Sequence, residues 1–539
     1  VLNRLTSLVE KSLIQRIDVA HGGVRIALLE TIREFATDRF AQNPNLAARA
    51  RRAHASYYAD LVHRLQPNMT GNQRLEVLAA MAADIDNLHL AWTYWVNAEA
   101  LQQLEKMADA LLMLNETRGW YSATVGLTTD MLAVLERCSP SQVDQEIGLR
   151  TTLARALMAT RGYTPEVEDA FARSIELFDR GGDVHQHFSA LRGQACLLSM
   201  RGNLRDGMRM GLELQRFAER ENDPAMLIEG NLRLGVLKTM VNDPQGGLDH
   251  LDRAISLFPA VPRHAFTTRA GGNDPRVACY TTAALALWLL GYPDQAVARA
   301  NAALTLAKEL DYPFTQANAY FHSGLLHLWR RDFDIVLTRA VDLQSIAGRH
   351  GFQIWTATAT ILSGAAQVGL GSSEEGLVNL QSGMDLYQGM HSPPVFWPML
   401  LSIQATACLD AGRPGEGLRL IEPALNIMSA GAGATLLCEL QLLKGDLLAA
   451  VAAEHGRNDP EADQWHQRAF DRAREMNLRT TQLRAAMRLC RAARDNAGQN
   501  AAITSLAEIH ATFTEGWTTH DLIEARALLA ASAASSAHV

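Results

Sequence analysis

The sequence predicts an all-α fold: a right-handed superhelical solenoid of stacked helical hairpins with a repeat of about 40 residues, behind a short N-terminal module that carries a β-hairpin. Three observations predict it. Small residues recur inside apolar helical stretches at Ala195, Gly235, Ala284, Gly324, Gly364, Ala405 and Gly445, at steps of 40, 49, 40, 40, 41 and 40. Seven residues after the first six of these stand Gly202, Asn242, Gly291, Arg331, Gly371 and Gly412. Gly or Asn at five of those six places is what a helix ending with positive φ favours. Twelve residues after the same markers stand Gly207, Gly247, Ala296, Val336, Gly376 and Gly417, all but one of them Gly or Ala, so a second helix crosses the first at close range. A lone hairpin cannot cover its own apolar face, so successive hairpins must stack, and seven to nine of them make a superhelix with a concave side.

Taken in order, Leu5 to Leu13 reads as a short helix. Leu13–Val19 and Val24–Leu28 read as two strands about the glycine turn at Gly22–Gly23, and Leu29–Phe40 as a helix. Helix, hairpin, helix is the second half of a winged helix, and residues 1–43 are assigned to it. Residues 44–145 are expected to form a helical linker or bundle, 146–530 the repeat array, and 531–539 a flexible tail. Within the array, apolar residues fall at helical spacing, as in Leu285, Trp288 and Leu289 and again in Ala300, Ala303 and Leu304. Gly162 and Ala485 extend the period at its two ends. The 49-residue step marks an insertion of nine residues within 258–276, and a long polar loop in a regular array is often functional.

Composition narrows the class. With 48% hydrophobic residues and 20% charged ones in 539, the chain buries a sizeable core, so disordered and collagenous readings are excluded. Fifty Lys and Arg against 58 Asp and Glu give a net charge of −8, and direct nucleic-acid binding is not expected. Six well-separated cysteines without a CxxC pair, no apolar run of membrane length and no secretory signal place the chain in the cytoplasm with no membrane partner. Because the first residue is Val1 and not Met, the sequence reads as a piece of something longer or the product of an alternative start.

No GxxxxGK[ST] loop appears, so ATP hydrolysis is not assigned here. The pairs His185/His187 and His322/His327 have the wrong spacing for a shared metal on one helix face. No catalytic, cofactor-binding or metal-ligating residue is assigned, and the chain is not expected to be an enzyme.

The small markers correspond in relative spacing to those of the tetratricopeptide repeat, with Ala254, Ala303, Gly383 and Ala424 at the later small position. The repeats therefore resemble that family, with about six extra residues per unit. By that resemblance the first helix of each hairpin faces the concave side. The candidate binding residues carried over by spacing are Arg192, Thr239, Thr281, Trp288, Phe321, Trp329 and Ser402. Three of these form an expected aromatic cluster, Trp288, Phe321 and Trp329, suited to an apolar peptide or helix.

The strings Leu8-Val-Glu-Lys-Ser-Leu13, Leu28-Leu-Glu-Thr-Ile-Arg-Glu-Phe-Ala36, Arg51-Arg-Ala-His-Ala-Ser-Tyr-Tyr58 and Asp86-Asn-Leu88 resemble the winged-helix end and linker of signal-transducing ATPases with numerous domains. A second set, Asn273–Val277, Ala286–Ala296, Leu443-Lys-Gly-Asp446 and Phe513-Thr-Glu-Gly-Trp517 with Asp521, resembles the repeat region of bacterial regulators that carry a class III nucleotide cyclase or a DNA-binding module. These resemblances imply a ligand-sensing repeat region that binds a protein, peptide or small inducer, and an upstream nucleotide-binding domain. The alternative is a stand-alone tetratricopeptide adaptor.

Overall fold

The computed structural model of the chain describes residues 2–18, 24–69, 74–138, 142–178, 183–262, 266, 273–390, 394–430, 434–493 and 496–536. Over these it carries 26 α-helices and one two-stranded sheet, in two compact units, Val1–Leu111 and Leu112–Val539.

The first unit opens with α1 (Leu2–Glu10), β1 (Ile14–Asp18), β2 (Val24–Leu28) and α2 (Glu30–Ala41). The strands are antiparallel, with Ile14 opposite Leu28, and the expected glycine turn lies outside the described residues. Then come α3 (Pro44–Leu65), α4 (Arg74–Ala83), α5 (Ile85–Asn97) and α6 (Leu101–Arg118), the last running across the division between the units. Asn43 starts α3 by accepting from the Leu46 N–H, and Pro44 occupies the first helical position, where its missing N–H costs nothing. Ala55, Ala59 and Val62 of α3 bury against Leu88, Ala91 and Trp92 of α5, and Trp95 donates from Nε1 to the Ala55 carbonyl at 3.2 Å.

The second unit continues with α7 (Tyr121–Cys138) and then hairpins. They pair α8 (Val143–Arg161) with α9 (Pro165–Phe178), α10 (Val184–Met200) with α11 (Leu204–Glu221), and α12 (Pro224–Val241) with α13 (Pro244–Ser256). Next are α14 (Pro275–Leu289) with α15 (Pro293–Leu310), α16 (Pro313–Arg330) with α17 (Phe333–His350), and α18 (Gln353–Gly369) with α19 (Ser373–Gln388). The last are α20 (Trp397–Asp410) with α21 (Pro414–Ala430), α22 (Ala434–Glu454) with α23 (Pro460–Glu475), and α24 (Arg479–Ala492) with α25 (Asn496–Ala511), before a final α26 (His520–Ser536). Helix thus occupies most of the 531–539 stretch expected as a tail, and 537–539 lie outside the described residues.

Four of these helices begin with an Asp-Pro pair: the carboxylates of Asp223, Asp243, Asp274 and Asp459 accept from N–H groups two or three residues on. Each satisfies a donor that the first turn leaves orphaned.

The small markers do what their spacing predicts. A Cβ on Gly364 of α18 would sit 2.6 Å from the Gly376 carbonyl oxygen of α19, and one on Gly376 would sit 2.7 Å from that of Gly364. The two backbones touch, and any side chain would part them. At the turns, Gly202, Gly291, Gly371 and Gly412 all have positive φ. The expectation fails at two places. Asn242 is extended at φ −171, and the chain enters α13 from there through the Asp243 cap. Arg331, which looked like the exception, is left-handed at φ 65, a conformation that is strained for a residue with a Cβ. Its guanidinium lies 3.4 Å from His520 Nδ1.

The first helices, α8, α10, α12 and so on to α24, stack on one another as an inner layer, and the second helices lie outside them. Five hairpins on, the array meets itself: α12 packs on α22, α14 on α24, and the 3-10 turn Pro394–Phe396 on α10. The same interval joins the α6–α7 turn to α16–α18, where Tyr121 meets Phe314 and Phe352 at ring distances of 6.0 and 6.4 Å. One superhelical turn therefore takes five hairpins, and successive turns abut along a seam.

Candidate ligand-binding cavity

The seam joins helix C-termini to helix N-termini. Carbonyls at the ends of α12, α14 and α16 point past the last turn and accept from groups on the next superhelical turn, Trp288 O of α14 doing so in addition to the Gly291 N–H at 3.1 Å. The Thr435 hydroxyl donates to Thr239 O at 2.9 Å, the Thr480 hydroxyl to Trp288 O at 2.5 Å, and Arg484 to Trp329 O at 2.7 Å. A cation at such an edge also complements the negative end of the helix dipole. Arg484 further pairs with Asp521 at 2.7 Å and Glu439 at 3.6 Å, and lies over the Trp288 ring. Burial alone would lower its pKa, but Asp521 and Glu439 raise it above the ordinary value, so the charge is fixed.

On the outer side, Glu515 caps α15 from far along the chain, accepting from the N–H groups of Asp294 and Gln295 at 2.9 and 3.0 Å. The Gly516 N–H donates to Asp294 in return. The segments of the second resemblance, Ala286–Ala296 and Phe513–Trp517 with Asp521, are therefore the two lips of the seam.

Closing the seam turns the concave groove into a cavity of about 780 Å³ walled by the inner faces of the first helices. All seven residues carried over by spacing lie on its wall: Arg192 on α10, Thr239 on α12, Thr281 and Trp288 on α14, Phe321 and Trp329 on α16, and Ser402 on α20. They do not form one aromatic cluster. Trp288 and Trp329 pack in the core around α14, whereas Phe321 meets Trp355 at 5.8 Å, with Phe314 5.4 Å beyond it. Trp288 and Phe321 are each 3% exposed, so most of each ring fills space between helices. The hydroxyls of Thr239, Thr281 and Ser402 donate to carbonyls of their own helices, which leaves their lone pairs as acceptors. Asn273 and Pro275, at the end of the long insertion, also reach the wall. They are anchored there by the Asp274 cap, the buried Asp274–Arg276 pair at 2.8 Å and the Asp274 N–H donating to Thr315 Oγ1.

The wall is apolar for the most part, and most of its charges are paired. Arg192 meets Glu229 at 2.8 Å, Arg155 meets Glu116 at 2.9 Å, and Arg201 meets Glu168. Arg488 holds Asp446 at 3.1 Å, and His466 adds a hydrogen bond to the same carboxylate. Burial pushes the Asp446 pKa up, but those two partners more than reverse it, leaving it below the usual value. Burial lowers the pKa of His322, whose Nδ1 donates to Asn318 O at 2.9 Å, so the neutral imidazole keeps Nε2 as an acceptor. Sequence reasoning missed four groups on this wall: Arg233 Nε, Trp355 Nε1 and the side-chain oxygens of Asn273 and Asn318. All four are buried and lack a protein hydrogen-bond partner. Two carried a signal. Asn318 stands three residues, one helical turn, before Phe321, and Arg233 stands next to residue 232, which holds on α12 the offset that Phe321 holds on α16.

The discounted histidines are occupied elsewhere: His187 stacks on Phe178 and His327 meets Asp332 at 2.8 Å. His520, Asp521 and Glu524 come together within 4.8 Å, but Arg484 and Arg491 already engage the two carboxylates. All six cysteines are free thiols, and no helix among the described residues is long and apolar enough to cross a membrane.

Fold and site together define a helical-repeat scaffold with an internal, small-ligand-sized cavity. No family model matches the chain, and no curated protein does. Among solved structures it is similar to a Rap protein complexed with the Competence and Sporulation Factor, at 12% identity over 71% of this chain and 98% of that one, with a TM-score of 0.50. It is also similar to the apo quorum sensor NprR from B. thuringiensis (14% identity, 66% of this chain and 97% of that one, TM-score 0.40). A third is a signal transduction ATPase with numerous domains that has a tetratricopeptide repeat sensor, from Pyrococcus horikoshii (12%, 90% and 73%, TM-score 0.37). At such identities the likeness is one of fold, and it places the array among tetratricopeptide-like solenoids.

Proposed function

We propose that this chain is a regulatory binding scaffold, the ligand-sensing repeat region of a cytoplasmic signal-transducing ATPase of the kind fused to nucleotide cyclase or DNA-binding modules. A peptide, protein segment or small inducer enters the cavity. The event passes through the helix–hairpin–helix module, read as the end of a winged helix, to an upstream nucleotide-binding domain. Catalysis is not assigned to this chain.

The observation that carries the reading is the gathering of all seven concave-face residues onto the wall of one partly open cavity. A repeat array needs only stacking to be stable, so a seam that narrows the groove to an apolar chamber is an addition that binding explains. The seam is also the element that can respond, because a ligand shifts an equilibrium only as far as it prefers one state over the other.

The test is thermal unfolding against a panel of short peptides and small inducers, in the parent and in Ser402→Trp, which puts an indole into the chamber from its wall. A true ligand at about 100 times its Kd stabilises the parent by about 2.7 kcal/mol and stabilises the variant less. Equal stabilisation of both places binding elsewhere and defeats the reading. The reading frame upstream of Val1 tests the rest: a GxxxxGK[ST] loop supports the ATPase context, and its absence refutes it.

A further inference from the structure

Resting on the sensor reading, we propose that the ligand is a small molecule carrying one carboxylate on an apolar body, and that Arg233 holds that carboxylate. Arg233 lies on the inner face of α12, on the cavity wall. Its Nε is sealed from solvent and has no hydrogen-bond partner among the described residues. Five other arginines of the wall, Arg155, Arg192, Arg201, Arg484 and Arg488, each hold a carboxylate, and the exposed Arg331 meets His520. A guanidinium does not shed its proton to escape an apolar setting, and Arg233 is half-buried with its Nε left unsatisfied. A wall that pairs five arginines with carboxylates and leaves the half-buried Arg233 without one is complementary to an anion there, and a planar carboxylate fits the fork of Arg better than a spherical ion does.

The surroundings agree. Tyr163, on the same wall, feels the Arg233 charge, and burial holds its phenol well above the ordinary pKa, so it stays a neutral donor beside the anion. Phe314, Phe321 and Trp355 supply an aromatic wall for the apolar body. A chamber of about 780 Å³ is the size of small-ligand sites and too small for a folded partner. Two sources share this chemistry: a free alkyl or aryl carboxylic acid, and the C-terminus of a short apolar peptide.

Binding of two fluorescent probes to the purified chain tests the proposal: anionic anilinonaphthalene sulfonate and neutral phenylnaphthylamine. Both are expected to bind the parent. Arg233→Gln weakens the anionic probe about tenfold or more and leaves the neutral one unchanged, while Arg233→Lys keeps most of the anionic affinity. Displacement names the source: dodecanoate against dodecanol, and an apolar tetrapeptide acid against its amide. Whichever acid outcompetes its neutral twin by about tenfold is the better mimic. Equal anionic affinity in parent and Arg233→Gln, at matched melting temperatures, overturns the role of Arg233 and leaves the cavity reading standing. Failure of both probes to bind the parent overturns both. If Arg233→Gln does not fold, acid against neutral twin in the parent decides, and equal displacement overturns the proposal.

Discussion

Neighbouring hairpins and successive superhelical turns are held together by opposite means. Between α18 and α19 the contact is made by removing side chains, so that the carbonyls of Gly364 and Gly376 approach the partner backbone. Across the seam it is made by adding polar ones: Thr435, Thr480 and Arg484 finish the carbonyl ends of α12, α14 and α16, and Glu515 finishes the amide end of α15. The first kind sets curvature and repeats along the chain. The second happens where curvature brings distant edges together, and it alone makes the cavity. A stack without the seam would be an open groove with the same repeats.

That difference can be broken at its strongest point first. Arg484→Ala leaves Asp521 buried without its cation and frees Trp329 O, and should cost about 3–5 kcal/mol in chemical denaturation. A loss under about 1 kcal/mol would mean that the seam is decoration. Gly376→Val tests the other kind. Forcing a side chain against the Gly364 carbonyl should cost about 1–3 kcal/mol with the ligand site far less affected than in Arg484→Ala.

Gly291→Val probes a place where the two kinds coincide. Its φ is 85, and a Cβ would meet Arg479 at 2.9 Å and Phe513 at 3.0 Å, both across the seam. Backbone strain alone predicts about 1–3 kcal/mol. A variant melting like the parent would show that neither constraint acts.

The smallest effect is a pH dependence at the α6–α7 end of the seam, where His350 Nδ1 lies 3.3 Å from Arg118 O. Burial lowers the pKa of His350, the Arg118 carbonyl opposes that shift, and the charges of Arg349 and Arg118 add to it. A lowered folded-state pKa means the stability is fully present above 6.5, the ordinary value, and is lost as pH falls through the folded one. His350→Gln should flatten that limb in melting temperature against pH, and an unchanged slope would remove His350 from the seam.

Much of the stack was legible in the sequence, because its partners lie twelve residues apart and recur: Gly235 with Gly247 and Gly364 with Gly376 announce themselves by spacing. The inner face was legible for the same reason, since inward positions keep a fixed offset from a small marker. The seam was not. Thr239 and Thr435 are 196 residues apart, Trp288 and Thr480 are 192 apart, and no local rule relates them. The strings around Gly291 and Phe513 stood out only by resemblance, with no physical reason visible until the structure set them against each other. Arg331 illustrates the limit: turn chemistry argued against a left-handed conformation there, and a contact with His520 was invisible to it.

Bridging Arg331→Cys to His520→Cys with a short bis-maleimide, in a chain whose exposed Cys138 is Ser, tests directly whether the array closes on itself. The account predicts rapid intramolecular crosslinking of the folded chain, visible as a mobility shift, and its loss when Arg484→Ala is added. Absence of the bridge in a chain that retains its helical content would show that the groove stays open and that there is no enclosed cavity to fill.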